Sequence, residues 1–283
     1  MRSIGWLVAG VLVAGGALAE PAEQGLRLKA DTALRAIPLG LSVVADAGYR
    51  LPLSASDSLI LRKTYLEGGF TGALSPAYAW AGGYVEALPL ALLQLRASAQ
   101  YMQYFGTFGH LFEPAAGSGD GGWSLDALKD RGGLTDGKMT HGLMLEGRAT
   151  PRLKLGNVVA FAELRFLRVS VEDVADTWYE PYYDILLAST DTMFIARPTA
   201  GYLLMAEDPT RTFLLAGARW ERTITDKTGI TRDLLAALLL WKIPTDWWAR
   251  GAQLAFLGGA WLDHPNRAEP YIAFQFTTEY GAR

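Results

Sequence analysis

The stretch "LQLRASAQY", Leu93 to Tyr101, alternates without a slip. Leu93, Leu95, Ala97, Ala99 and Tyr101 share one phase, and Gln94, Arg96, Ser98 and Gln100 the other. Successive side chains of a strand point to opposite faces, so one face asks for an apolar neighbour and the other for water or partner charges. A soluble sandwich and a membrane barrel both meet that demand. The segments around it have to decide between them.

The same period recurs along most of the chain. Arg27, Lys29, Asp31 and Arg35 alternate with Leu26, Leu28, Ala30 and Leu34, and Leu41, Val43, Ala45, Ala47 and Tyr49 with Ser42, Asp46 and Arg50. Further strands are predicted near 59–74, 77–87, 90–105, 138–149, 153–171, 191–206, 212–225, 230–243, 250–263 and 270–280. Turn chemistry separates them, including Ser75-Pro76, Leu88-Pro89 and Thr150-Pro151-Arg152. The count is about twelve. "DILLAST" (184–190) is read as part of a structured loop, since as a wall strand it would make the count odd. "LLAALLLW" (234–241) fits a short buried helix nearly as well as a strand.

The first nineteen residues, MRSIGWLVAGVLVAGGALA, carry an early Arg2, an apolar centre and a small-residue end at Ala17-Leu18-Ala19. That is the pattern of a secretory signal peptide, with its apolar run too short for a spanning helix. The expected organisation is 1–19 as signal and 20–283 as one domain. The chain has no cysteine, 26 Lys+Arg and 29 Asp+Glu. Disulfides, thiolate metal sites and a Cys nucleophile are excluded, and nothing recruits nucleic acid.

If the strands close into a membrane barrel, both chain ends lie on one side and the longer loops on the other. The two long connections, 106–137 and 172–190, follow the fifth and seventh strands and fall on the same, outer side. Trp80, Tyr101, Trp220, Trp241 and Trp261 lie near strand ends, as an interfacial aromatic girdle would. Glu67, Glu86, Arg96, Glu146, Arg148, Glu163, Arg165, Arg219 and Glu221 share the polar phase of their strands, as a charged lumen would.

Together these segments resemble the outer-membrane β-barrel proteins of Gram-negative bacteria over the whole mature chain. The last strand, "PYIAFQFTTEY", places Ile272, Phe274, Phe276 and Tyr280 on one face and looks like the C-terminal strand read by the barrel assembly machinery, although Gly281-Ala282-Arg283 follow it. The resemblance implies an all-β, transmembrane, antiparallel up-and-down barrel in the outer membrane, with lipid and the assembly machinery as partners.

Enzymatic readings find little support. His110, His141 and His264 are not followed at the second position by Ser, as the outer-membrane phospholipases require, and Asp263-His264 lack an opposing acidic pair of the omptin kind. Asp120, Asp126, Asp130 and Asp136 match no calcium-loop spacing, so no metal or other cofactor is expected. Trp178, Tyr179, Tyr182 and Tyr183, among acids in the second long loop, are candidates for binding a glycan, an envelope protein or the membrane surface, or for packing onto the first loop.

Two classes of function stay open. One is a non-enzymatic structural or interaction component of an envelope assembly, which the interleaved lumen charges favour slightly. The other is a narrow channel for small polar solutes touching Arg96, Arg148, Arg165 and Arg219; cations in excess along one wall would favour it.

Overall fold

The computed structural model describes residues 24–36, 40–54, 58, 60–61, 63–106, 139–174, 177–205, 212–243, 252–265 and 269–281. The signal segment, His110 and the aspartates of the first long loop lie outside them.

Twelve antiparallel strands close into a barrel: β1 (Gly25–Arg35), β2 (Gly40–Pro52), β3 (Tyr65–Leu74), β4 (Tyr78–Leu90), β5 (Leu93–Tyr104), β6 (Thr140–Leu155), β7 (Val158–Val171), β10 (Thr190–Met205), β11 (Phe213–Thr225), β12 (Thr231–Lys242), β13 (Gln253–Asp263) and β14 (Pro270–Gly281). Each pairs with its neighbours in the chain, and β1 meets β14 to complete the wall, with Arg27 opposite Gly281 and Arg35 opposite Ala273. A separate hairpin, β8 (Thr177–Glu180) with β9 (Ile185–Ala188), lies between β7 and β10. "DILLAST" thus contributes a strand that never joins the wall.

The alternation of Leu93–Tyr101 reads directly as inside and outside. Gln94, Arg96, Ser98 and Gln100 are buried, while Leu95 is 41 % and Tyr101 54 % exposed. The same polarity holds around the wall, with Phe70, Val85, Phe166, Leu204 and Phe274 presented outward and charged side chains turned in. An apolar exterior over a charged interior is the arrangement of a membrane-spanning barrel and the inverse of a soluble one.

Several boundaries move from their predicted places. β3 begins at Tyr65 rather than near 59, because Thr64 N–H and Oγ1 both bond the Leu61 carbonyl and turn the chain. β4 runs through Pro89 to Leu90, the proline sitting at a register shift between Ala87 and Leu90 where a missing N–H is tolerated. β6 runs through Pro151 to Leu155 and turns at Gly156 (φ 59°). Its ladder with β7 skips from Ala149 to Arg152, so the absent Pro151 N–H leaves no partner stranded there. "LLAALLLW" is strand, with Leu234, Leu238 and Leu240 turned in and Leu235, Leu239 and Trp241 turned out.

Interior glycines let neighbouring strands of the wall approach closely. A Cβ on Gly82 would lie 1.9 Å from the Ala99 carbonyl oxygen, and one on Gly217 2.2 Å from that of Ala200. Only glycine lets neighbouring backbones approach so closely.

Candidate functional site

The interior carries two features: a ladder of charges on the wall, and the hairpin seated in one mouth. Glu67, Glu86, Arg96, Glu146, Arg148, Glu163, Arg165, Arg219 and Glu221 all lie buried in the interior phase. Across β2–β5, Arg50 Nε donates to Glu67 Oε2 at 2.8 Å, and Tyr84 donates to the other oxygen at 2.7 Å. Arg96 forms a fork on Asp46, both bonds 3.0 Å, lies 3.6 Å from Glu86, and stacks over the Tyr84 ring.

On the adjoining stretch of wall, where Arg148 of β6 stands opposite Arg96, Glu146 accepts from Arg148 at 2.8 Å and from Arg165 at 2.9 Å. Arg197 then bridges Glu163 at 2.9 Å and Glu221 at 2.6 Å, and Arg232 joins Glu221. A buried ion pair is stable only when geometry and extra hydrogen bonds offset the cost of leaving water. Here each glutamate bridges two arginines, so the wall acts as one network. Arg197 and Arg232 are central to it and were not singled out from sequence. "IARPTAG" around Arg197 is weakly alternating.

The two walls differ in charge. Among buried side chains, β1–β5 place three cations against four carboxylates, whereas β6, β7 and β10–β12 place five arginines against three glutamates and Asp191. Asp191 sits at the rim, where backbone N–H groups of Ala188, Thr192, Lys227 and Thr228 surround its two oxygens. The second wall therefore keeps a cationic excess over its glutamates.

The hairpin closes the mouth formed by the odd-to-even connections. Trp178 and Ile185 are fully buried, Tyr179 and Tyr183 nearly so, and Tyr182 is partly buried against the same cluster. Trp178 packs edge-on to Tyr104 of β5, Tyr182 to Tyr78 of β4, and Tyr183 accepts a hydrogen bond from Arg165 of β7 at 2.9 Å. The reading of these four aromatics as an exposed interaction surface is therefore corrected. Each fully buried large side chain contributes roughly 1.5–3 kcal/mol by leaving water, and the nearest apolar surface is the inside of the barrel.

Polar groups at the hairpin tip fix its seat. Asp184, in the left-handed region at φ 55°, accepts a 2.7 Å hydrogen bond from Tyr179 and lies 3.3 Å from His264 Nε2 and 3.9 Å from Arg35 Nη1. Arg35 Nη2 also donates to the Pro181 carbonyl at 3.1 Å, and Arg232 to the Tyr183 carbonyl. Burial pushes the Asp184 carboxyl up, but Arg35 above all, then His264 and Arg232, hold it well below the usual carboxylate range. Burial lowers His264, with Asp184 opposing. Glu180 has weaker compensation: burial pushes it up to about 7, against hydrogen bonds from the Tyr183 and Tyr182 N–H groups and the Tyr104 hydroxyl.

The aromatic girdle needs a second correction. Tyr101, Trp220 and Trp241 face outward, but Trp80 and Trp261 are buried in the interior phase. Trp80 has the same parity as Glu86 on one strand, so both point inward. Trp261 stacks on His264 at 4.3 Å and meets Tyr271 edge-on. Nor is the interior uniformly polar: Phe161, Leu203, Phe213, Leu215 and Leu240 form part of an apolar cluster below the charge network.

No helix among the described residues is long and apolar enough to cross a membrane, which leaves crossing by strands untouched. The described residues hold no cluster of three or more potential metal ligands. No family model matches the sequence, and no curated protein matches it. Solved structures of similar shape exist. The beta domain of the Bordetella autotransporter BrkA is 15 % identical, aligned over 92 % of this chain and 100 % of that one, with a TM-score of 0.46. In-vitro folded OmpT, an outer membrane protein of Vibrio cholerae, is 10 % identical over 92 % of this chain and 97 % of that one, TM-score 0.38. Its outer-membrane expressed form is 9 % identical over 94 % and 100 %, TM-score 0.40. Likeness at this level says nothing about activity.

Proposed function

We propose that this chain is a non-enzymatic barrel of the Gram-negative outer membrane, working as a narrow channel for small polar solutes that the β8–β9 hairpin closes at rest. The observation that carries this reading is the hairpin, an eight-residue pairing that joins neither wall edge and fills one mouth. The excess of arginine over glutamate on β6, β7 and β10–β12 adds to it, since a wall biased toward one sign contributes to a field that can hold a solute. Bilayer lipid meets the outer face, and the barrel assembly machinery inserts the chain.

A second reading, a barrel without transport that serves an envelope assembly, draws on the pairing of Arg96, Arg148 and Arg165 with carboxylates. Single-channel recording separates the two. Refolded protein is compared with a form in which residues 177–188 are replaced by a short glycine-serine link. A quiet wild type and steady conductance after replacement are expected of the channel. Silence from both, with insertion verified by heat-modifiable gel migration, would leave the assembly reading.

A further inference from the structure

On the wall formed by β6, β7 and β10–β12, four of the five buried arginines are held by glutamates: Arg148, Arg165, Arg197 and Arg232. Arg219 is the exception. It is 3 % exposed; its Nε donates to Thr199 Oγ1 at 3.2 Å and its Nη2 has no hydrogen-bond partner. Among the described residues no carboxylate comes within ion-pair distance of it.

The neighbours of Arg219 are small. Register places Ala236 directly opposite on β12 and Gly259 beyond it on β13, and one layer inward Leu238 and Leu257 form an apolar floor. Glu163 and Glu221 act on Arg219 only from beyond ion-pair distance, so its Nη2 lacks an acceptor, and its planar fork matches two oxygens of one carboxylate. The oxygens missing from this wall are those an organic acid would bring. Inorganic phosphate offers similar oxygens, but it is strongly hydrated and has nothing to lay on leucines.

We propose that Arg219 and Thr199 form a lumen subsite for the carboxylate of a small organic acid whose apolar body rests on Ala236, Leu238 and Leu257. The proposal deepens the channel reading and relies on it for the solute's access.

Butyrate is a suitable probe, added to the hairpin-replaced barrel carrying chloride current in a planar bilayer. Saturable interruption of the current is expected, weakened about tenfold or more by Arg219→Gln, as loss of a charge-assisted pair implies. Arg222→Gln, on the outward phase of the same strand, should leave it unchanged, and phosphate at equal concentration should interrupt less. Equal block in Arg219→Gln, or phosphate as effective as butyrate, would overturn the subsite. If that barrel stays silent, the channel reading fails separately. Titration calorimetry of butyrate into the full refolded chain then decides, with binding lost in Arg219→Gln supporting the subsite and no binding, or equal binding, ending it. Should Arg219→Gln not fold, Arg219→Lys keeps the charge without the fork, and undiminished butyrate binding there would count against it.

Discussion

Glu180 makes the seating of the hairpin depend on pH, with a sign that can be worked out. Its carboxyl lies in the mouth, bonded to the Tyr104 hydroxyl at 3.2 Å and to the Tyr183 N–H, with burial outweighing those bonds. Docked, it titrates near 7 instead of the ordinary value of 4.5. The docked hairpin therefore binds the proton more tightly than the free one. Docking is strongest below the free value, weakens as pH rises from about 4.5 to about 7, and is constant above that. A shift of that size corresponds to about 3 kcal/mol, an upper figure for a site that can admit water. The Asp184–His264 contact is a separate contribution: burial lowers His264 and the Asp184 carboxylate raises it. Glu180→Gln isolates the first contribution. Hydrogen exchange across residues 177–188 in refolded protein should quicken in the wild type between pH 4.5 and 7, after correction for intrinsic exchange, and the variant should lose that trend. A wild-type profile flat after correction, or a variant retaining the trend, would refute the reasoning.

Two further outcomes test the wall. Arg197→Met leaves Glu163 and Glu221 each short of a cation, and should cost about 3–5 kcal/mol, read as a lower urea midpoint by tryptophan fluorescence. Phe166→Arg, well inside β7 and 58 % exposed on the outer face, should cost roughly 2–4 kcal/mol in bilayer refolding, while Leu155→Arg, at the last residue of β6, should cost about 0–1 kcal/mol. Equal costs at both positions would sink the assigned depth.

The wall was legible because its signal is local. Nine residues from Leu93 to Tyr101 already contain the inside and the outside, and parity extends that assignment along each strand without knowledge of its neighbours. Parity also contradicts the girdle assignment of Trp80, which shares a phase with Glu86: on a strand, period and not residue type sets which face a side chain takes. The ion-pair network was less accessible. Which glutamate Arg197 meets depends on the registers of β7, β10 and β11, and register is a property of pairs of strands. The hairpin was least legible, since "TWYEPYYDILLA" contains acids and aromatics in the proportions of a surface loop. Its clue is the Pro181-Tyr182-Tyr183-Asp184 turn between two short apolar runs, but nothing local says which surface those runs cover.

Asp184 touches two elements whose position in the barrel gives that contact a second meaning. Arg35 ends β1, and His264 begins the connection into β14, so the two partners flank the seam where the first strand meets the last. A single carboxylate reaches both sides of the join between the first strand and the last that turns a linear chain into a ring. Zipping that seam and seating the hairpin are therefore linked equilibria: each lowers the cost of the other, by the same amount in both directions. Force that parts β1 from β14 at this end also pulls on Asp184, and a hairpin lifted from its seat leaves the ring easier to unlatch sideways.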